Sequence, residues 1–183
     1  MFGVLEMKAD STPLTRFIEH LPKNGDLELS LLKCHLLVEE VLTKVLLDST
    51  KHPNYVQKAR LTFSQKTFLA RSVSDLEHRT WLWGAIAKLN DARNELAHGL
   101  SVEDIKTKLE EFIRFVEAEE GAPNPNVITQ TFGRFHWAAF KVFGVLSAYA
   151  HFDPTAIKLT GAAARDLLGD AEPHNRPACG PRT

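Results

Sequence analysis

Between Asp26 and Thr50 Leu31, Cys34, Val38, Val41 and Val45 recur at spacings of three and four and form one stripe, and Leu32, Leu36, Leu42 and Leu46 read as another. Such spacings put side chains on one side of an α-helix. The stretch therefore predicts a long helix with Asp26 as its N-terminal cap. A helix apolar on so much of its circumference has to be surrounded by other helices, which places it at the centre of an all-helical core.

The rest of the chain supplies that surround. Ser11 and Thr12 ahead of Pro13 start a short helix whose apolar face is Leu14, Phe17, Ile18 and Leu21, and Pro22 ends it. Pro53 opens a third helix. A fourth begins near Asp75, contains Trp81 and Trp83 and ends near His98. Ser101 followed by Glu103 and Asp104 is a capping signal for a fifth, with Ile105, Leu109, Phe112, Ile113 and Val116 inward. After the break at residues 121–126 a sixth helix runs to about Phe152. It carries Phe132, Phe135, Ala139, Val142, Leu146 and Tyr149 on one stripe, with Trp137, Phe140 and Val145 off it. Two apolar faces mean that this helix is either sandwiched in the core or shared with another subunit. Asp153 and Pro154 begin a last short helix to about Leu168. Residues 1–169 thus read as one all-α domain, an antiparallel bundle of six to seven helices, and residues 170–183 as a disordered tail rich in Pro, Gly and charge.

Composition narrows the class. With 183 residues the chain is long enough for one substantial core and short for two. A hydrophobic content of 44% with 25% charged residues is that of a soluble protein, no apolar run reaches the roughly 18 residues needed to span a bilayer, and the N-terminus does not read as a signal peptide. The expectation is a cytoplasmic protein without membrane contact. Cys34 and Cys179 lack pair spacing, which fits a reducing compartment and excludes a cysteine zinc site. His174 and Cys179 read as parts of the unstructured tail. No metal-ligating set and no cofactor loop is present, so no cofactor is expected. The formal net charge of −1 means that any nucleic-acid contact has to be local.

One stretch is not explained by the fold. Leu82, Ile86, Leu89, Arg93, Leu96 and Leu100 alternate at spacings of four and three, so Arg93 stands in an inward stripe. An arginine there is either a member of a structural ion pair or a functional group held on a rigid element. Glu39, on the second stripe of the long helix between Leu36 and Leu42, is the candidate to pair with it; Glu40, four residues before Lys44, reads as a solvated pair. His98 follows five residues after Arg93 and next to Gly99, a residue that readily ends a helix. Asn94 shares a face with His98, whereas Arg93 and His98 lie about 140° apart on an ideal helix. They converge only if the last turn unwinds or if a second copy supplies one of them.

Read as Arg-Asn-Glu-Leu-Ala-His, residues 93–98 resemble the arginine, polar residue, short spacer, histidine motif of the HEPN superfamily, small α-helical proteins that include metal-independent ribonucleases and toxin components. The resemblance takes in a helix ending soon after the histidine, and the run Leu36-Leu37-Val38-Glu39-Glu40-Val41-Leu42 looks like that of the mannitol-operon repressor branch. It implies that Arg93 and His98 are the catalytic pair and Asn94 the polar residue beside them. Some toxin members carry a tyrosine two residues after the histidine; here that place is Leu100, so regulation through such a tyrosine is not expected.

The chemistry of the residues agrees with that implication. Metal-free RNA cleavage needs a group to take the 2′-OH proton, one to protonate the leaving 5′ oxygen and a cation to stabilise the charged phosphorane. An imidazole exchanges protons near neutral pH, which suits His98, and a guanidinium holds phosphate bidentately, which suits Arg93. Asn94 orients His98 or bonds the phosphate, and Glu95 holds a tautomer. From Lys51 through Arg71 there is no acidic residue, and Lys58, Arg60, Lys66 and Arg71 form a basic strip that is either an RNA contact or a solvated face. Tyr55, Phe63 and Phe68 interleave with it at helical spacing, which reads as core. From Glu103 to Glu120 seven acids face three bases, a surface that repels RNA. The expected function is a metal-independent endoribonuclease or RNA-binding protein working as a homodimer, a class that extends to toxin and defence roles with a protein partner such as an antitoxin. The alternative is a catalytically inactive scaffold for protein contacts or transcriptional control.

Overall fold

A computed structural model of the protein describes residues 13–22, 25–98, 101–125 and 131–150. Among them are seven helices and no strand: α1 (Pro13–His20), α2 (Leu27–Asp48), α3 (Pro53–Lys58), α4 (Phe63–Val73), α5 (Thr80–His98), α6 (Val102–Glu120) and α7 (Thr131–Tyr149). Local chemistry sets most of the boundaries. The Asp26 carboxylate accepts from the amide of Leu29, and Ser101 Oγ accepts from the amide of Asp104, each satisfying a donor that the first turn leaves without a partner. None of the described helices is long and apolar enough to cross a membrane.

α2 is central, packed by α1, α3, α4, α5 and α7. His35 of α2 touches Phe63 of α4 and Asn90 of α5, while Glu39, one turn on, meets Lys66 of α4. α4 therefore runs parallel to α2, because residues 49–62 carry the chain back along it. Leu27, at the start of α2, shares a groove with Glu103, in the first turn of α6 that follows the end of α5. α2 and α5 are accordingly antiparallel. α5 and α6 form a hairpin in which the Phe115 ring packs onto Gly84: a methyl group there would stand 2.7 Å from its Cζ.

Four expectations change. The single helix expected after Pro53 is two helices, separated at Arg60, whose φ of 50° belongs to the left-handed region, and restarted by a reciprocal cap between Thr62 and Gln65. α5 begins at Thr80 rather than near Asp75, because residues 75–78 form a turn in which the Leu76 carbonyl accepts from Trp83 Nε1 at 3.1 Å. Leu42 and Leu46 are buried, but Leu32 and Leu36 lie on the surface, Leu36 at 62% exposure. Positions 36 and 42 are six apart and so about 120° apart around the helix; they were never one stripe. Glu40 bonds Arg16 of α1, and Lys44 reaches Asp48 at 2.8 Å.

α7 resolves the choice left open for its two apolar faces. Phe135, Ala139, Val142 and Leu146 are fully buried against α2, α5 and α6, while Phe143 stacks on Phe17 of α1 and Phe140 meets the same ring edge-on. It is sandwiched within one chain. Arg134 ties it to α6, its fork bonding Glu117 (Nε to Oε1, 2.7 Å) and its Nη1 bonding Glu110 (2.9 Å). The predicted helix at 153–168, the tail at 170–183 and the pair His174 and Cys179 lie outside the described residues.

Candidate functional site

α5 stays helical through His98, so the last turn does not unwind before the histidine. Arg93 and His98 therefore keep their divergence of about 140°. Arg93 is half-buried at the end of the inward stripe Leu82, Ile86 and Leu89, and His98 is exposed at the helix end. Asn94 and Glu95 are half-buried. Nη1 of Arg93 stands 3.5 Å from Oδ1 of Asn94, a long contact between neighbours. Glu95 makes no hydrogen bond or ion pair among the described residues.

Beneath Arg93 lies a polar pair that the sequence reading did not single out. His35 is buried, stacks on the Phe63 ring with centroids 4.0 Å apart, and places Nε2 3.2 Å from Oδ1 of Asn90. An amide oxygen accepts only, so His35 donates through Nε2. Burial pushes its pKa below the usual histidine value; the Asn90 bond and the Glu39 charge oppose that shift, and the Arg93 charge adds to it. Glu39 and Arg93 thus both act on one imidazole. The signal for this pair was a polar residue at a buried position on each of two helices: His35 beside Cys34, and Asn90 one turn before Arg93.

Glu39 is in an ion pair, but not with Arg93. Its Oε1 takes the Lys66 ammonium at 2.8 Å, with both side chains mostly buried. Glu39 points into the seam between α2 and α4, where the long Lys66 stem reaches it, while Arg93 stands on the α5 side of α2. Among the described residues Arg93 has no carboxylate within the 4.0 Å of an ion pair.

The basic strip is divided by the fold. Lys58 and Arg60 are exposed at the α3–α4 turn, and Arg71 is exposed in the last turn of α4. Lys66 lies about 140° from Arg71 around α4, turned toward α2 and already neutralised. Of the three aromatics expected in the core, only Phe63 is buried; Tyr55 is 67% and Phe68 70% exposed. On α6, Glu110 and Glu117 are engaged by Arg134, while Glu103, Asp104 and Glu119 remain at the surface. Comparison of the chain with protein-family models, curated proteins and solved structures returns no match.

Proposed function

We propose that the protein is a metal-independent endoribonuclease of the kind its Arg-Asn-x-x-x-His stretch resembles, acting as a homodimer that brings the motifs of two copies to one cleft. The observation that carries this reading is the state of Arg93. A half-buried guanidinium on a rigid helix, with no carboxylate to neutralise it, is prepared for an anion from outside, and its planar fork suits a phosphate. A scaffold that used the arginine only to hold its core together would have paired it with Glu39.

In this reading Arg93 holds the scissile phosphate while one His98 takes the proton from the ribose 2′-OH. The 2′ oxygen attacks phosphorus, the bond from phosphorus to the 5′ oxygen breaks, and a second His98 protonates the leaving oxygen. The products are a 2′,3′-cyclic phosphate and a 5′-hydroxyl. Asn94, one turn before His98 on the same face, orients the imidazole, and Glu95 is its neighbour three residues back. The continuous α5 helix, along which Arg93 and His98 of one chain diverge, supports a site completed by a second copy. A ridge of exposed leucines on α2, Leu29, Leu32 and Leu36, offers apolar surface that a second copy could cover.

The test is incubation of purified protein with a labelled RNA pool in EDTA, followed by mixing of two variants. Arg93→Ala and His98→Ala should each be inactive alone. Because the one cleft uses the His98 of both copies, a mixed dimer still lacks one histidine and mixing should restore no activity; recovery of about one quarter would instead mean two sites per dimer, each made of one arginine and one histidine from different copies. Inhibition by EDTA or equal cleavage of DNA defeats the mechanism. If no RNA is cut, the leucine ridge makes an interaction scaffold the better reading.

A further inference from the structure

A groove of about 420 Å³ runs between α4 and α5 and reaches Phe63 and Asn90, the two residues that contact His35. Its α4 wall includes Thr67, Phe68 and Arg71, and its α5 wall includes Gly84, Ala87 and Asp91. We propose that this groove holds single-stranded RNA next to the cleavage point, with the Phe68 ring as a platform for one base and Arg71 as a phosphate contact. The proposal rests on the ribonuclease reading and adds a substrate path to it.

Three features of the groove argue for a nucleotide. Phe68 is 70% exposed, and it stands across the groove from Ala87, whose short side chain leaves room beside the ring. Aromatic faces stack on every base, so such a platform binds single strands without regard to sequence. Arg71, one turn from Phe68, has no carboxylate within ion-pair distance among the described residues, and no acidic residue occurs between positions 51 and 71. The α4 end of the groove therefore offers an unneutralised cation to an anion. Asp91, at the far end, is an acceptor suited to the amino group of a base edge.

The direction of the groove is the fourth feature. Ala87, Asp91, Asn94 and His98 are spaced at four, three and four residues, so the α5 wall continues as one helical face to the histidine. Ala87 and His98 are about 16 Å apart along the axis. A strand laid in the groove is led along the helix to the group that moves protons, while Arg93 approaches the phosphate from the partner copy. Phe68 and Arg71 are thus binding residues and touch no reacting atom.

The experiment measures steady-state cleavage of a short single-stranded RNA, and binding of its uncleavable 2′-O-methyl form, by wild type, Phe68→Ala, Phe68→Trp and Arg71→Ala. Phe68→Ala should weaken binding about tenfold or more, with the loss in KM rather than kcat, and Phe68→Trp should restore it. Arg71→Ala should weaken binding of all sequences and lower the slope of log affinity against log salt by about one. Circular dichroism checks that the exposed substitutions leave the fold intact. If wild type binds and cuts RNA but Phe68→Ala has the same KM and affinity, the groove proposal is overturned and the ribonuclease reading stands. If wild type neither binds nor cuts RNA, both are overturned.

Discussion

The ammonium of Lys66 lies 2.8 Å from Oε1 of Glu39, across the seam of α2 and α4, and this cation rather than Arg93 neutralises the carboxylate of the central helix. Both side chains are mostly shielded, at 18% and 28% exposure, so the pair is better protected from solvent screening than an ordinary surface bridge. Its consequence for function is indirect: it leaves Arg93 with Asn94 as its hydrogen-bond partner.

A double-mutant cycle tests that assignment. Glu39→Gln combined with Lys66→Met should show a coupling of about 0.5–1 kcal/mol in urea unfolding, in the range of partly exposed pairs. Glu39→Gln combined with Arg93→Met should be additive to within about 0.5 kcal/mol. A larger coupling to Arg93 than to Lys66 would mean that the two cations exchange places in solution.

Asn90 gives a second prediction. Asn90→Ala leaves the buried Nε2–H of His35 without its acceptor and should destabilise the protein by about 1–3 kcal/mol. His35→Phe together with Asn90→Leu removes donor and acceptor at once and should recover most of that loss, because an apolar pair strands no polar group. Denaturation midpoints of the two variants check this; equal losses in the single and double variants would rule out a shared bond.

Stability should also depend on pH through His136. Ser30 Oγ donates to the Asp26 carbonyl at 2.6 Å, so the 3.3 Å contact between His136 and Ser30 is made by the imidazole donating through Nε2. Burial holds the His136 pKa down at about 4, against about 6.5 for an unfolded histidine. Above pH 6.5 neither state is charged and the group contributes nothing to the difference. As pH falls from about 6.5 toward 4 the unfolded chain binds a proton that the folded one refuses, so stability falls through that window. His35 acts in the same direction. His136→Gln should flatten the fall in urea midpoint between pH 7 and pH 5; an unchanged slope would show that His136 is not the group responsible.

For the proposed activity, geometry matters at Arg93 as much as charge. Arg93→Lys keeps the cation and loses the planar fork, so its activity should stay well below wild type. His98→Gln should cost about 10²–10⁴-fold in kcat, the usual value of a positioned proton-transfer group. Chelators should leave the wild-type rate unchanged. Full activity in either variant would sink the assigned roles.

Helical periodicity and capping chemistry are local, and they were readable from the chain alone: Asp26 and Ser101 as caps, the inward stripe Leu82, Ile86 and Leu89, the inner face of α6 and the central place of α2. Proximity of Arg93 and His98 along one helix was equally local, and so was their angular divergence. What the sequence could not determine is which helices lie side by side, in which direction and at what register. That arrangement turned Lys66 rather than Arg93 toward Glu39, set His35 on Asn90 and Phe63, filled both faces of α7 from within the chain and left Phe68 in the open beside Arg71. Each of these depends on a contact between residues far apart in the chain. A hydrophobic pattern specifies that a side of a helix must be covered, but the covering partner is chosen only when loop reach, helix direction and side-chain shape are satisfied together.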